Sequence, residues 1–164
     1  QRQMCIRDSI PIDMLSVSRI SHASQRLFEG ELIRTVLKNK FDGKLTFTLK
    51  ELLGTWSENA ALFSVGETVT GVVRSVESYG VFVELMPNLA GLAEPCDDLV
   101  PGQCVSVYIK SIIPDKMKIK LVIVQAFDSA AVQSELVYFD ERDHINSWHF
   151  SPTGAIKTVE TYFE

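Results

Sequence analysis

Residues 65 to 85 read Val-Gly-Glu-Thr-Val-Thr-Gly-Val-Val-Arg-Ser-Val-Glu-Ser-Tyr-Gly-Val-Phe-Val-Glu-Leu, from Val65 to Leu85, and this stretch decides the fold. Its first half alternates Val69, Gly71 and Val73 with Thr68, Thr70 and Val72, and its second half sets Tyr79 and Phe82 around Gly80. β-Branched and aromatic residues at a period of two fit a pleated, half-buried surface, so the stretch is expected to form two strands joined by a turn. Aromatic rings displayed on a sheet offer flat faces of the kind on which nucleobases stack.

Working outward, the Gly66-Glu67-x-Val69-x-Gly71-x-Val73 opening, the Tyr79-Gly80-x-Phe82-Val83 centre and the Gly91-Leu92 pair together resemble the S-one domain, the RNA-binding repeat named after a bacterial small-subunit ribosomal protein. The resemblance implies an all-β fold, with a five-stranded OB-type barrel complete over residues 63–124. It also implies that Tyr79 and Phe82, on the second and third strands of that family, face RNA. The residues alone leave Phe82 open, because two positions three apart on one continuous strand face opposite sides and Phe82 would then belong to the barrel core. Gly80 supplies a bend that would bring both rings to one face.

A second copy of part of this pattern lies upstream. When residues 28–50 are laid over residues 100–121, Gly30 falls on Gly102, Ile33 on Val105, Thr35 on Val107, Leu37 on Ile109 and Lys38 on Lys110. Both segments read strand, turn, strand. One turn is Phe41-Asp42-Gly43-Lys44, an Asp-Gly hairpin signal, and the other is Pro114-Asp115-Lys116-Met117. In the S-one family these are the last two strands, so residues 10–52 are expected to be the back half of a truncated repeat, with Ser16–Ser21 as the connection after a missing third strand. A half barrel has open edges and a bare apolar face, and it must pack on the complete domain, pair with another chain, or stay partly disordered.

Between the copies, Thr55-Trp56-Ser57-Glu58 has the spacing of a capping box, which predicts a short helical connector over residues 53–62. Trp56 is expected to anchor it against a neighbouring domain, the other reading being a base-stacking Trp. Gln1–Ser9 fit no periodic pattern, do not begin with Met, and resemble translated sequencing adapter; they are expected to be a non-native leader. Residues 125–164 form an acidic extension with a strand-like Leu136-Val137-Tyr138-Phe139, expected to add a small β element that covers a barrel edge or the half repeat.

Composition sets limits on function. With 46% hydrophobic and 23% charged residues the chain has the profile of a globular protein, and no apolar run reaches the roughly 20 residues that cross a bilayer. A cytoplasmic protein without membrane association is expected. Cys5, Cys96 and Cys104 are odd in number and lack paired ligand spacing, which points to reduced thiols. The net charge of −5 argues against binding that relies mainly on phosphate neutralisation. That acidity concentrates in the tail, where residues 125–164 hold two Lys or Arg against seven Asp or Glu.

Around the aromatic centre, Lys110, Lys116, Lys118 and Lys120 fall on the fourth strand, the turn and the fifth strand. Lys118 and Lys120 share one strand face, and with Lys110 and Arg74 they could line a groove that receives phosphates. Solvated lysines protecting an edge strand are the alternative. By resemblance Lys118 takes the place of a contacting Arg, and Lys lacks the stacking and bidentate geometry of Arg. Glu94 takes the place of a His usual in the family, where a carboxylate would repel phosphate, weakening the platform or favouring a partner other than RNA. Asp97 and Asp98 lie close behind it.

No phosphate-cradling glycine loop, nucleophile elbow, HExxH or paired Cys motif occurs, and His144 and His149 have no third ligand at a defined spacing. The expected function is therefore non-enzymatic and cofactor-free: binding of single-stranded RNA by base stacking in translation or RNA metabolism. Two other readings stand beside it. One is a module that binds the ribosome or RNA-processing proteins, and the other an accessory domain of a larger nuclease, since S-one repeats also occur in exoribonucleases and initiation factors.

Overall fold

The protein is described here from a computed structural model, which covers residues 8–130 and 136–163. Near its start, β1 (Asp8–Ser9), β2 (Val36–Phe41) and β3 (Lys44–Thr48) form a three-stranded sheet in the order β1-β3-β2. The Asp-Gly signal is realised: Phe41 pairs with Lys44, and Asp42 and Gly43 both take positive φ, 50° and 73°. Such a turn matches the right-handed twist of the strands it joins. Asp8 and Ser9, assigned by sequence to the leader, pair in parallel with Leu45 and Thr46. The remainder of that leader, with Cys5, lies outside the described residues.

A short helix α1 (Trp56–Ala60) follows. Its capping box is complete, since Thr55 Oγ1 accepts from the Glu58 N–H and the Glu58 carboxylate accepts from the Thr55 N–H. Trp56 is 4% exposed and packs in the barrel core cluster with Trp148 and Phe150, so it anchors the connector and is not available for base stacking.

Five strands then close a barrel: β4 (Thr68–Glu77), β5 (Gly80–Met86), β6 (Leu89–Ala93), β7 (Gln103–Ile113) and β8 (Lys118–Ala130). Their order around the barrel is β4-β5-β6-β8-β7, with β7 returning to pair with β4. All contacts are antiparallel except β6 with β8, where Leu92 and Ala93 lie parallel to Lys120 and Leu121. This is an OB-type barrel. The period-two pattern fills it. Val73, Val81, Val83, Val105, Val107, Ile109, Ile119 and Leu121 are all at most 2% exposed and form its interior. The last strand runs six residues past the expected domain end at 124.

Beyond the barrel, β9 (Ser147–His149) and β10 (Glu160–Tyr162) pair antiparallel. This hairpin buries Trp148 and Phe150 in the barrel core cluster. Leu136–Phe139 is not a strand. Leu136 and Tyr138 instead pack on a second cluster of Leu15, Leu49 and Leu53, and the Phe139 N–H donates to the Leu52 carbonyl at 2.8 Å. The segment thus bonds its backbone to a distant part of the chain and uses its apolar side chains as a cover.

A buried side chain of the barrel helps to dock the segment ahead of it. Asn88, in the turn between β5 and β6, accepts from the Val17 N–H at 3.0 Å and donates to the carbonyls of Lys50 and Gly54, both at 2.7 Å. Ser18 adds a backbone bond to Pro87. Packing on the barrel is thus the outcome taken by residues 10–52, while among the described residues the outer edge of β2 pairs with no strand, and Leu37 and Phe41 are exposed.

Candidate nucleic-acid interface

Strand alternation settles which way Phe82 points. Its neighbours Val81 and Val83 are fully buried inside the barrel, so Phe82 faces out and is half-buried. Tyr79 shares that side because it does not lie on the same strand. Glu77 pairs with Gly80, leaving Ser78 and Tyr79 as a two-residue turn, and the Tyr79 ring stands 63% exposed. The two rings meet edge to face with centroids 6.1 Å apart, a favoured aromatic geometry. Gly80 permits this by close approach: a Cβ there would lie 2.6 Å from the Ala93 carbonyl oxygen on β6.

Register extends the face across the barrel. Phe82 pairs with Leu92, Leu92 with Lys120 and Lys120 with Ser111. At about 4.8 Å between neighbouring strands, Phe82 and Lys120 sit on one row roughly 10 Å apart. Lys118, two residues from Lys120, lies on the same exposed side, and neither lysine has an ion-pair partner among the described residues. Lys110 is also exposed, with its Nζ 3.9 Å from Glu94 Oε1. Both groups of that pair are well solvated, so the attraction is weak. Glu94 thus lies beside the lysine-bearing strands, with its carboxylate near Lys110.

Arg74 does not stand free to receive phosphate. Its Nε and Nη2 donate to Glu84 Oε2 at 3.1 and 2.7 Å, and Nη2 reaches the Gln25 carbonyl. Glu84 is in turn held by Arg26, which donates to both of its carboxylate oxygens. Sequence reasoning missed this pairing because Arg26 lies 58 residues upstream. The same upstream segment creates a cleft of about 540 Å³ beside the aromatic turn. Tyr79, Phe82, Ala90 and Glu77 line it from the barrel, and Ile20 and the exposed Arg19 from the upstream segment. No spacing in the sequence connects Arg19 to Phe82.

The fold and this outward face define a class, the OB-type barrel with an aromatic and lysine-bearing surface on its second, third and fifth strands. Curated relatives narrow it. The chain is 30% identical over 123 residues to the small ribosomal subunit protein bS1 of Chlamydia muridarum, a match covering 66% of this chain and 22% of that protein. It is 24% identical over 145 residues to the bS1 homolog of Bacillus cereus, covering 80% of this chain and 38% of that protein. A 29% identity over 131 residues joins it to the 4-hydroxy-3-methylbut-2-enyl diphosphate reductase of Clostridium tetani, covering 71% of this chain and 21% of that enzyme. Distant homology to bS1 thus supports an S-one-type domain, while the chain spans only about a fifth to two fifths of these relatives. No family model matches. Among solved structures, an uncharacterized protein of Methanocaldococcus jannaschii is 27% identical, with a TM-score of 0.34, over 36% of this chain and 89% of that one.

Among the described residues no helix is long and apolar enough to cross a membrane. His149 Nδ1 lies 3.0 Å from a Glu160 oxygen and His144 bonds Asn146, so the two histidines serve separate local contacts.

Proposed function

We propose that this protein binds single-stranded RNA on the outer face of its barrel, in a translation or RNA-metabolism setting. The observation that carries the reading is the edge-to-face pair of Tyr79 and Phe82, turned outward on a row that continues to Lys120. Bases would stack on the two rings, while Lys118, Lys120 and Lys110 draw the phosphates. Stacking contributes on the order of 1–3 kcal/mol per base and tolerates any sequence, because every base has a π-face. Distant homology to bS1 supports the same reading. Arg74 would act through Glu84 as a support for the face, and Glu94 as a brake on phosphate near Lys110.

Residues 10–52 would be the back half of a preceding repeat. Supporting this, Gly30 and Gly102, which share a place in the overlaid copies, both take a left-handed φ, 87° and 92°, ahead of an antiparallel strand pair. Tandem repeats would raise the avidity for one RNA strand in a longer protein. A protein-binding role is the second reading, favoured by Glu94 and by the consumption of Arg74 within the fold. A catalytic role drawn from the reductase relative has no support in the matched segment, which is about a fifth of that enzyme.

Titration of a labelled single-stranded oligoribonucleotide at two salt concentrations tests the proposal, with Tyr79→Ala and Phe82→Ala beside the parent. Near-micromolar binding at low salt that each variant weakens is the expected result. Absence of binding by the parent, or indifference to both changes, would overturn it.

A further inference from the structure

We propose that Arg19 is a phosphate ligand at the mouth of the cleft between the upstream segment and the aromatic turn, so that two parts of the chain build one nucleotide-binding pocket. This rests on the RNA reading above and deepens it. Three observations carry it.

The first is shape. A cleft of about 540 Å³ falls within the roughly 300–1,000 Å³ typical of small-molecule sites. Its apolar lining comes from two chain segments, Tyr79 and Phe82 on the barrel and Ile20 upstream. A base entering it would meet both aromatic rings and an aliphatic side chain.

The second is the distribution of charge. Two arginines line the cleft, but Arg74 is committed to Glu84 by two hydrogen bonds. Arg19 is exposed and makes no ion pair among the described residues. Among the described residues lining the cleft, its guanidinium is thus the arginine left without an ion pair. Arginine suits the task because its planar fork holds phosphate through two N–H groups and stacks on bases. Glu77, a carboxylate lining the same cleft, repels phosphate and so favours a strand whose backbone runs past Arg19.

Fixed geometry is the third. Flanking Arg19, the backbone is tied to the barrel on one side by Val17 to Asn88 and Ser18 to Pro87. On the other side, Arg26 is clamped to Glu84. A segment held at both ends keeps its side chain over the pocket at little further entropic cost on binding.

The test uses the full chain and labelled oligouridylate, titrated at several salt concentrations, with Arg19→Glu, Arg19→Lys and Phe82→Ala. Arg19→Glu is expected to weaken binding about tenfold and to lower the salt slope by about 0.7, the share of one phosphate on a single strand. Arg19→Lys should keep the slope and lose affinity a few-fold, because charge is retained while the fork is lost. Unchanged affinity and slope in Arg19→Glu, with binding still lost in Phe82→Ala, would overturn this inference and leave the RNA reading standing. No binding by the parent would overturn both.

Discussion

Arg26, in the segment ahead of the barrel, forks onto both carboxylate oxygens of Glu84 on β5, and each side chain is about nineteen-twentieths buried. Glu84 serves a second cation, Arg74, from its own sheet. Removing the central anion would strand one buried and one partly buried guanidinium group, whereas removing Arg26 leaves Glu84 still paired. Glu84→Gln is therefore expected to cost about 3–5 kcal/mol, and Arg26→Met distinctly less. Urea unfolding of the two variants checks the order, and an equal or inverted cost would show that the clasp is not centred on Glu84.

Asn88 offers a sharper test of the dock. Its amide donates to two carbonyls and its oxygen accepts from Val17. Asn88→Ala leaves these backbone groups without partners, at about 1–3 kcal/mol for each group that water cannot reach. Asn88→Asp nearly preserves shape but turns a donor into an anionic acceptor aimed at two carbonyl oxygens. The aspartate variant should melt below the alanine one.

Gly80→Ala should damage the hairpin without touching either ring. The added methyl would meet the Ala93 carbonyl oxygen at 2.6 Å and the Leu92 side chain at 2.8 Å. Backbone cannot step aside cheaply, so a loss of about 1–3 kcal/mol is expected. Because Tyr79 and Phe82 flank the shift, RNA affinity should fall with it, which paired melting and titration experiments would record.

On the lysine row, Lys118→Glu and Lys120→Glu should each lower the salt slope of RNA binding by about 0.7, the share of one phosphate, and leave unfolding unchanged. Their exposure removes any packing cost. A fall in affinity with no change of slope would assign these lysines a role other than phosphate contact.

Asp140 carries a pH signature. The Arg142 side chain, by hydrogen bond first and by charge as well, holds its carboxyl below the ordinary value of 3.8. A lowered folded value means the protonated form is disfavoured on folding, so this bridge stabilises at pH above 3.8 and is lost as pH falls through the lowered value. Arg142 is well exposed, so the effect is small. Acid unfolding of Asp140→Asn should show the parent's advantage near neutral pH disappear below that point.

The sequence by itself determined the hairpin, and its resemblance to the S-one domain implied the barrel. Valines at a period of two, an Asp-Gly turn, a Thr-x-x-Glu cap and the Tyr-Gly-x-Phe centre are local signals, each acting through backbone geometry within a few residues. It also set which residues were candidates for the outward face, but not that Phe82 is outside. That followed from Val81 and Val83 filling the barrel and from Tyr79 falling in the turn. Only the tertiary structure decided that Arg74 is spent on Glu84, that Trp56 is buried with Trp148 and Phe150, that Leu136–Phe139 is a cover and not a strand, and that Arg19 stands across a cleft from Phe82. Those are contacts between residues ten or more positions apart, and no local periodicity records a partner that the chain must fold back to meet.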